Sequence, residues 1–365
     1  MLARRSHLRL PDGSNCELPL LVPSFSSKGF GFYPSRPHKS RAQVSVISAD
    51  LFEFGQAPAT SLLVSGFDLH FKHFGLPRTT KKNCLDWITN ARVVFLDSGG
   101  YELAPDFDSS EPKSPPYQAR SGFDRAEYMS VLEGLRKRAL KQNLVVSNFD
   151  WGTRGKALVA QISDARAIQR QHPKVLHNFI LKPWTSGATI IDPKRLTPKE
   201  FQDLAGFDII GVTEKELGAD LLDRLKRVAL LRAGLDRSGI AAPIHVWGGL
   251  DPMLTPLYFF AGAEIFDGVS WLRYAFIDGL AVNRECAATL DHELGVEARR
   301  GLSHPMISFR NRSYLERLTG CLQQWVDFEG VNFSMFPRST REHLARAYRT
   351  MVTKIPELGG TQRGR

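Results

Sequence analysis

Cysteine is scarce in this chain: four in 365 residues, at Cys16, Cys84, Cys286 and Cys321. They are widely spaced and form no CxxC pair, which excludes a disulfide framework and a thioredoxin-like redox motif. No Cys/His cluster has metal-ligand spacing, so no structural zinc is expected. Thiols so placed fit a reducing, cytoplasmic compartment. No apolar run reaches the roughly 20 residues that cross a bilayer, so no membrane partner is expected. A glycine-rich phosphate turn is also missing: "LPLLVPSFSSKGF" (18–30) follows the first apolar run without one, which argues against an open dinucleotide-binding sheet. The opening "MLARRSHLRL" has no acidic residue. That gives it a faint likeness to a transit peptide, but it reads better as a surface strand leading into the fold.

Acidic residues are outnumbered overall, 38 Asp and Glu against 48 Lys and Arg, for a formal charge of +10. A basic excess of this size suits a polyanion, with nucleic acid the first candidate. At 42% hydrophobic residues the chain has material for a large core.

Eight short apolar runs punctuate the sequence: "LPLLVPSF" (18–25), "SLLVSGF" (61–67), "VVFLD" (93–97), "NLVVSNFD" (143–150), "HNFILKP" (177–183), "DIIGV" (208–212), "PIHVWGG" (243–249) and "EIFDGVS" (264–270). Their length and Val, Ile, Leu and Phe content are those of strands buried on both faces. Between them lies helical text. "RAEYMSVLEGLRKRALKQ" (125–142) and "KALVAQISDARAIQRQ" (156–171) are amphipathic. "TPKEFQDLAG" (197–206) has capping-box spacing from Thr197 to Glu200 and stops at Gly206. "DPMLTPLYFFAG" (251–262) opens on Asp-Pro and ends in Gly. Strand–helix alternation predicts an α/β fold with a parallel sheet, and eight repeats predict closure into a (β/α)8 TIM barrel over residues 1–290. Residues 291–365 read as an Arg-rich helical extension, with helices at 310–328 and 339–355. The second has capping-box spacing from Ser339 to Glu342, and "GGTQRGR" reads as a disordered tail. The Pro- and Ser-rich stretch 104–124 has the length of a functional lid or a disordered loop.

Barrel chemistry sits at the C-terminal ends of the strands. There the sequence places Asp97 on strand 3, Asp150 on strand 4, Lys182 on strand 5, Gly211 on strand 6, Trp247-Gly248-Gly249 on strand 7 and Asp267 within strand 8. Three carboxylates at one mouth are costly to bury without a purpose. Two carboxylates facing one substrate can cleave a glycosidic bond, one attacking the anomeric carbon and the other moving a proton. Tyr101 and Trp247 offer flat walls for a purine, and Asp150 suits the donor-only edge of guanine. Gly99 and Gly100 allow backbone N–H groups to approach a ligand. Lys182 reads equally as a partner of Asp150, and Glu216 as the start of a helix. His245, in mid-strand, reads as a satisfied core histidine.

The segment "VVFLDSGGYE" (93–102) resembles the Asp-Ser-Gly-Gly-Phe-Gln signature of the transfer RNA-guanine transglycosylases. "IHVWGGLDPMLTPLYFFAGAEIFDGVSWLR" (244–273) is similar to that family's Met-Gly-x-Gly, Pro-led helix and Gly-x-Asp-x-Phe-Asp block with its downstream Arg. "LPLLVPSFSSKGF" and "VVSNFD" resemble its first strand and its strand-4 Phe-Asp. The matches run in order over residues 9–285. The resemblance implies that Asp267 is a nucleophile forming a covalent glycosyl-enzyme, Asp97 the general acid/base, and Asp150 the base-recognising carboxylate. It implies that Tyr101 and Trp247 sandwich the base and that Ser98, Gly99, Gly100, Gly248 and Arg273 complete its site. Gly211 and Val212 are implied as base-contacting backbone, followed by the acid Glu216. Lys182 stands where the family has Gln, and neither the family's Cys-x-Cys-x-x-Cys site nor its His-Asn pair is present, the latter reading Arg310-Asn311. These departures and the Arg-rich tail fit best the branch that exchanges guanine in DNA for a 7-deazaguanine such as 7-cyano-7-deazaguanine. The resemblance thus implies a pentosyltransferase without cofactor or metal. Its expected partners are double-stranded DNA, the 7-deazaguanine base and the proteins of a restriction-modification-like DNA-modification cluster. Transfer RNA is the alternative polymer, and a catalytically silent nucleic-acid-binding paralogue is the alternative of another class. Retention of both Asp97 and Asp267 argues against the latter.

Overall fold

The structure, a computed structural model, describes residues 1–28, 32–35, 39–42, 61–73, 88, 91–104, 120–138, 143–290 and 300–359. The lid-like stretch falls mainly on residues 105–119 and the tail on 360–365, outside the described residues.

Each of the eight apolar runs forms a strand: β1 (Leu20–Phe25), β2 (Ser61–Ser65), β3 (Val93–Asp97), β4 (Asn143–Ser147), β5 (Leu176–Leu181), β6 (Ile209–Thr213), β7 (Ile244–Trp247) and β8 (Ile265–Gly268). They close in chain order into an all-parallel barrel. β8 completes the ring on β1, with Ile265 opposite Leu20 and Asp267 opposite Val22. Helices follow the strands, so the architecture is a (β/α)8 barrel with C-terminal helices.

The two-residue period of a strand sorts every side chain. In β3, Val93 and Phe95 pack inside the barrel while Val94 and Leu96 face the helical shell. Asp97, two residues beyond Phe95, therefore continues the inward face. The same parity places Asp267 after Ile265 and Lys182 after Ile180. It turns Val212 outward into the shell.

Below the chemistry the barrel is closed. The opening residues form a hairpin, Ser6–Arg9 against Asn15–Leu18. Its Leu8, Leu10, Cys16 and Leu18 join the interior cluster of Val22, Phe95, Val145 and Ile265. Asp12 at its tip accepts a hydrogen bond from the side chain of Asn143, the first residue of β4, at 3.0 Å. The strand expected at the start of the chain is thus a plug in the barrel floor.

Several boundaries differ from the sequence reading. β4 ends at Ser147, not Asp150. The Asn148 side chain takes over the pairing with β5, accepting from Ile180 N at 2.6 Å, and a turn closed by Thr153 on the Asp150 carbonyl follows. Gly211 lies inside β6 rather than at its end. The capping box of Thr197 and Glu200 forms with both hydrogen bonds. That of Ser339 and Glu342 does not: the helix Arg338–Lys354 starts after Pro337, and the Ser339 hydroxyl donates instead to the Asp278 carbonyl. The helix expected at 310–328 spans Arg300–Asp327 and carries Pro305 inside it.

The C-terminal helices share the barrel's core. Trp325 is fully buried against Phe260 at 4.0 Å between ring centroids and Tyr348 at 5.1 Å. Asn311 fastens this helix: its amide donates to the carbonyls of Trp271 and Tyr274 and accepts from Phe276 N. Among the described residues no helix is long and apolar enough to cross a membrane.

Candidate active site

The C-terminal mouth of the barrel opens on a cavity of about 940 Å³, a size suited to a small-molecule or nucleobase ligand. Asp97, Gly100, Tyr101, Asp150, Lys182, Trp247, Gly248, Asp267 and Arg273 all line it. Phe25, Leu63 and Ile180 supply apolar wall. Ser98, Gly99, Gly211 and Val212 do not reach the lining; at β6 the contacts come from Thr213, Glu214, Lys215 and Glu216 instead.

The glycines after Asp97 answer to space. Gly99 has φ +90°, and a Cβ there would stand 2.8 Å from Phe67. A Cβ on Gly100 would stand 2.7 Å from an Asp150 oxygen. The turn can therefore bring the Gly99 N–H back to Asp97 Oδ2 at 3.1 Å. Ser98, though behind the lining, donates to Asp150.

Asp97 is 8% exposed and Asp267 is 6% exposed. Burial, then the charges of Asp150 and Asp267, push the Asp97 carboxyl up to about 7. A carboxyl poised there can both give and take a proton near neutral pH. Asp267 accepts from Ser24 Oγ at 2.8 Å, from Gly248 N at 3.1 Å and from His245 Nε2 at 3.0 Å.

Lys182 sits across the cavity from no single partner. Its ammonium lies 2.8 Å from Asp150, 3.2 Å from Glu216 and 3.0 Å from Thr213 Oγ1. Burial acts to lower its pKa, but the two carboxylates outweigh it and hold the ammonium above its ordinary value. Arg154 grips the other Glu216 oxygen at 2.8 Å. Glu216 closes a short 3₁₀ turn and is 2% exposed, so it is a buried member of this network and not the start of a helix.

Tyr101 is clamped. Its hydroxyl accepts from Arg273 at 2.9 Å, and the Lys28 ammonium lies 4.5 Å from its ring centroid. Trp247 stacks one face on His245, with centroids 4.3 Å apart. Gly211 gives the indole its room: a Cβ there would meet Trp247 Nε1 at 2.5 Å. Gly211→Ala is expected to cost about 1–3 kcal/mol through this overpacking, read as a lowered midpoint in thermal denaturation. An unchanged midpoint would show that the indole shifts freely.

Sequence reasoning passed over Ser24, Lys28, Glu102 and Asn178; His245, read as a satisfied core histidine, is fully buried with both ring nitrogens partnered. Glu102 is 1% exposed, lines the cavity and accepts from Ser26 and from Ser65, the latter at 2.8 Å. Burial, then the charges of Asp68 and Asp97, push it up to about 8. Polar residues at inward positions of apolar strands were the available signal for Ser24 and Asn178. Because Glu102 and Asp97 hold protons that the unfolded chain releases near pH 4, stability is full below that pH and is lost as pH rises through about 7 to 8. The melting temperature is expected to fall from pH 5 to pH 9. Glu102→Gln should flatten that fall by on the order of a few degrees; a scan with identical slopes for both chains contradicts the assignment.

Among the described residues no group of three or more His, Cys, Asp or Glu is placed to hold a metal ion. No protein-family model matches the chain, and no curated protein matches it.

Proposed function

We propose that this chain is a DNA-guanine transglycosylase, exchanging guanine for a 7-deazaguanine through a covalent Asp267–sugar intermediate. The observation that carries the reading is the meeting of Asp97 and Asp267, 170 positions apart in sequence, in one cavity beside a guanine-suited carboxylate and two aromatic rings.

Asp267 attacks C1′ of a deoxyguanosine, the C1′–N9 bond breaks, and the departing guanine takes the Asp97 proton. An incoming 7-deazaguanine then gives its N9 proton to Asp97 and attacks C1′. The C1′–O bond to Asp267 breaks and both carboxyl groups return to their starting states. Two inversions leave the anomeric configuration unchanged. Asp150 accepts from the guanine N1–H and amino group, and Lys182 donates to O6 where the family uses an amide. Trp247, with His245 behind it, offers its other face to the purine. Drawing the nucleotide out of the duplex costs roughly a few kcal/mol, offset by phosphate contacts of a chain carrying +10. Trp151 stands at the mouth, 42% exposed, where a neighbouring base can stack.

Incubation with labelled guanine and either duplex DNA or transfer RNA tests the reading. Label is expected in DNA. Label in transfer RNA alone keeps the chemistry and replaces the polymer. Label in neither, with no trapped adduct, leaves a binding subunit and overturns the proposal.

A further inference from the structure

The exchange chemistry uses Asp267 but not the fully buried histidine beneath it. His245 is 0% exposed in mid-β7, edge-on to Phe95 at 5.5 Å and stacked under Trp247. Its two ring nitrogens have partners of opposite kind. Nδ1 lies 2.7 Å from the Asn178 amide nitrogen, and Nε2 lies 3.0 Å from Asp267 Oδ1. An amide NH₂ only donates and a carboxylate only accepts. Nδ1 is therefore the bare nitrogen and Nε2 carries the proton.

The orientation of an amide follows from its neighbours. The Asn178 oxygen and the Trp247 indole nitrogen border the same gap over Gly211, where a Cβ would stand 2.7 Å from the first and 2.5 Å from the second. Both atoms are buried and, among the described residues, neither makes a hydrogen bond; an oxygen is the more favourable neighbour for an indole N–H, since an NH₂ there would set donor against donor. The arrangement thus runs Asn178 N–H to His245 Nδ1, then His245 Nε2–H to Asp267.

The two oxygens of Asp267 are loaded unequally. Oδ1 accepts from His245 and from Gly248 N at 3.1 Å, which uses both of its in-plane lone pairs. Oδ2 accepts from Ser24 Oγ at 2.8 Å. Ser24 Oγ itself accepts from Gly268 N at 3.1 Å, which turns its proton towards Oδ2. One lone pair of Oδ2 is left.

We infer that His245, held in a single tautomer by Asn178, is the positioning residue that pins Asp267 by Oδ1 and leaves Oδ2 as the atom that attacks the sugar. This role rests on the proposed glycosyl transfer. His245 touches no substrate; it fixes the rotation of the carboxylate, so its loss lowers the rate of capture and leaves base binding alone.

The test is single-turnover adduct formation on duplex DNA, with guanine KM measured alongside. His245→Phe is expected to slow capture by about 10- to 100-fold, the size seen when a hydrogen bond that orients a metal ligand is removed, with KM within about threefold. His245→Gln, whose amide can donate to Oδ1, is expected to recover most of the rate. A His245→Phe rate within about threefold of the parent overturns the inference, and so does a His245→Gln chain as slow as His245→Phe. ¹⁵N spectra of histidine-labelled parent protein, with His245→Gln to identify the resonance, read the tautomer without any activity. A protonated Nδ1 with a bare Nε2 overturns the geometry. A parent chain that captures no sugar from either polymer refutes the glycosyl-transfer reading itself, a result separate from any difference among the variants.

Discussion

Asp267→Asn is expected to leave no covalent sugar adduct and to lower the proposed exchange of labelled guanine by roughly a thousandfold or more. At about 1.36 kcal/mol per tenfold, that is at least roughly 4 kcal/mol of barrier. The size follows from what is removed. An amide oxygen is a far weaker nucleophile than a carboxylate, and nothing else among the cavity residues is placed to take its role as Asp267 is, with Ser24, Gly248 and His245 all aimed at it. The substitution is nearly isosteric, so folding is expected to survive and circular dichroism should be unchanged. The measurement is denaturing electrophoresis of enzyme mixed with labelled duplex. A shifted band of parental intensity in Asp267→Asn assigns the nucleophile elsewhere.

The second large effect belongs to Asp97 and shows itself as pH dependence. Burial, then the charges of Asp150 and Asp267, push its carboxyl up to about 7. In the proposed exchange, capture needs the protonated form, to give guanine a proton. Release to the incoming base needs the ionised form, to take one. In single turnovers, capture is therefore fast below pH 7 and falls about tenfold per unit well above it, while release follows the opposite limb. Asp97→Asn loses the limb altogether and slows capture by about 10²- to 10⁴-fold. Asp150→Asn removes the larger of the two neighbouring charges that hold Asp97 up, so the midpoint of the capture profile moves to lower pH. A midpoint that stays put in Asp150→Asn, or moves up, contradicts the electrostatic account.

Much of this arrangement was legible in the sequence because a barrel strand obeys simple rules. Eight runs of buried residues became eight strands, and the two-residue alternation carried Asp97 and Asp267 onto the inner face. Asp150 was found as a residue, although its strand had already ended and Asn148 had taken over the pairing. What escaped were properties set by partners on other strands. No local pattern announces that Asn178 on β5 donates to His245 on β7, or that Ser26 and Ser65 enclose Glu102. Gly211 and Val212 were read as backbone contacts to the base, a role that side-chain direction does not decide. Val212 turns its side chain outward into the shell, and the lining at this strand begins at Thr213. The helix read as 310–328 extends back to Arg300 and runs through Pro305, a residue that removes one backbone hydrogen bond from a helix interior and so hides its continuity in the sequence.

Among the described residues, the hairpin plug of residues 6–18 fills the barrel end opposite the cavity. In the proposed exchange, guanine and its replacement occupy the same seat at the open mouth, one after the other, while the polymer stays tethered across it. A covalent sugar held on Asp267 between the two visits predicts double-displacement kinetics, with parallel lines in reciprocal plots and free guanine competing against the incoming base.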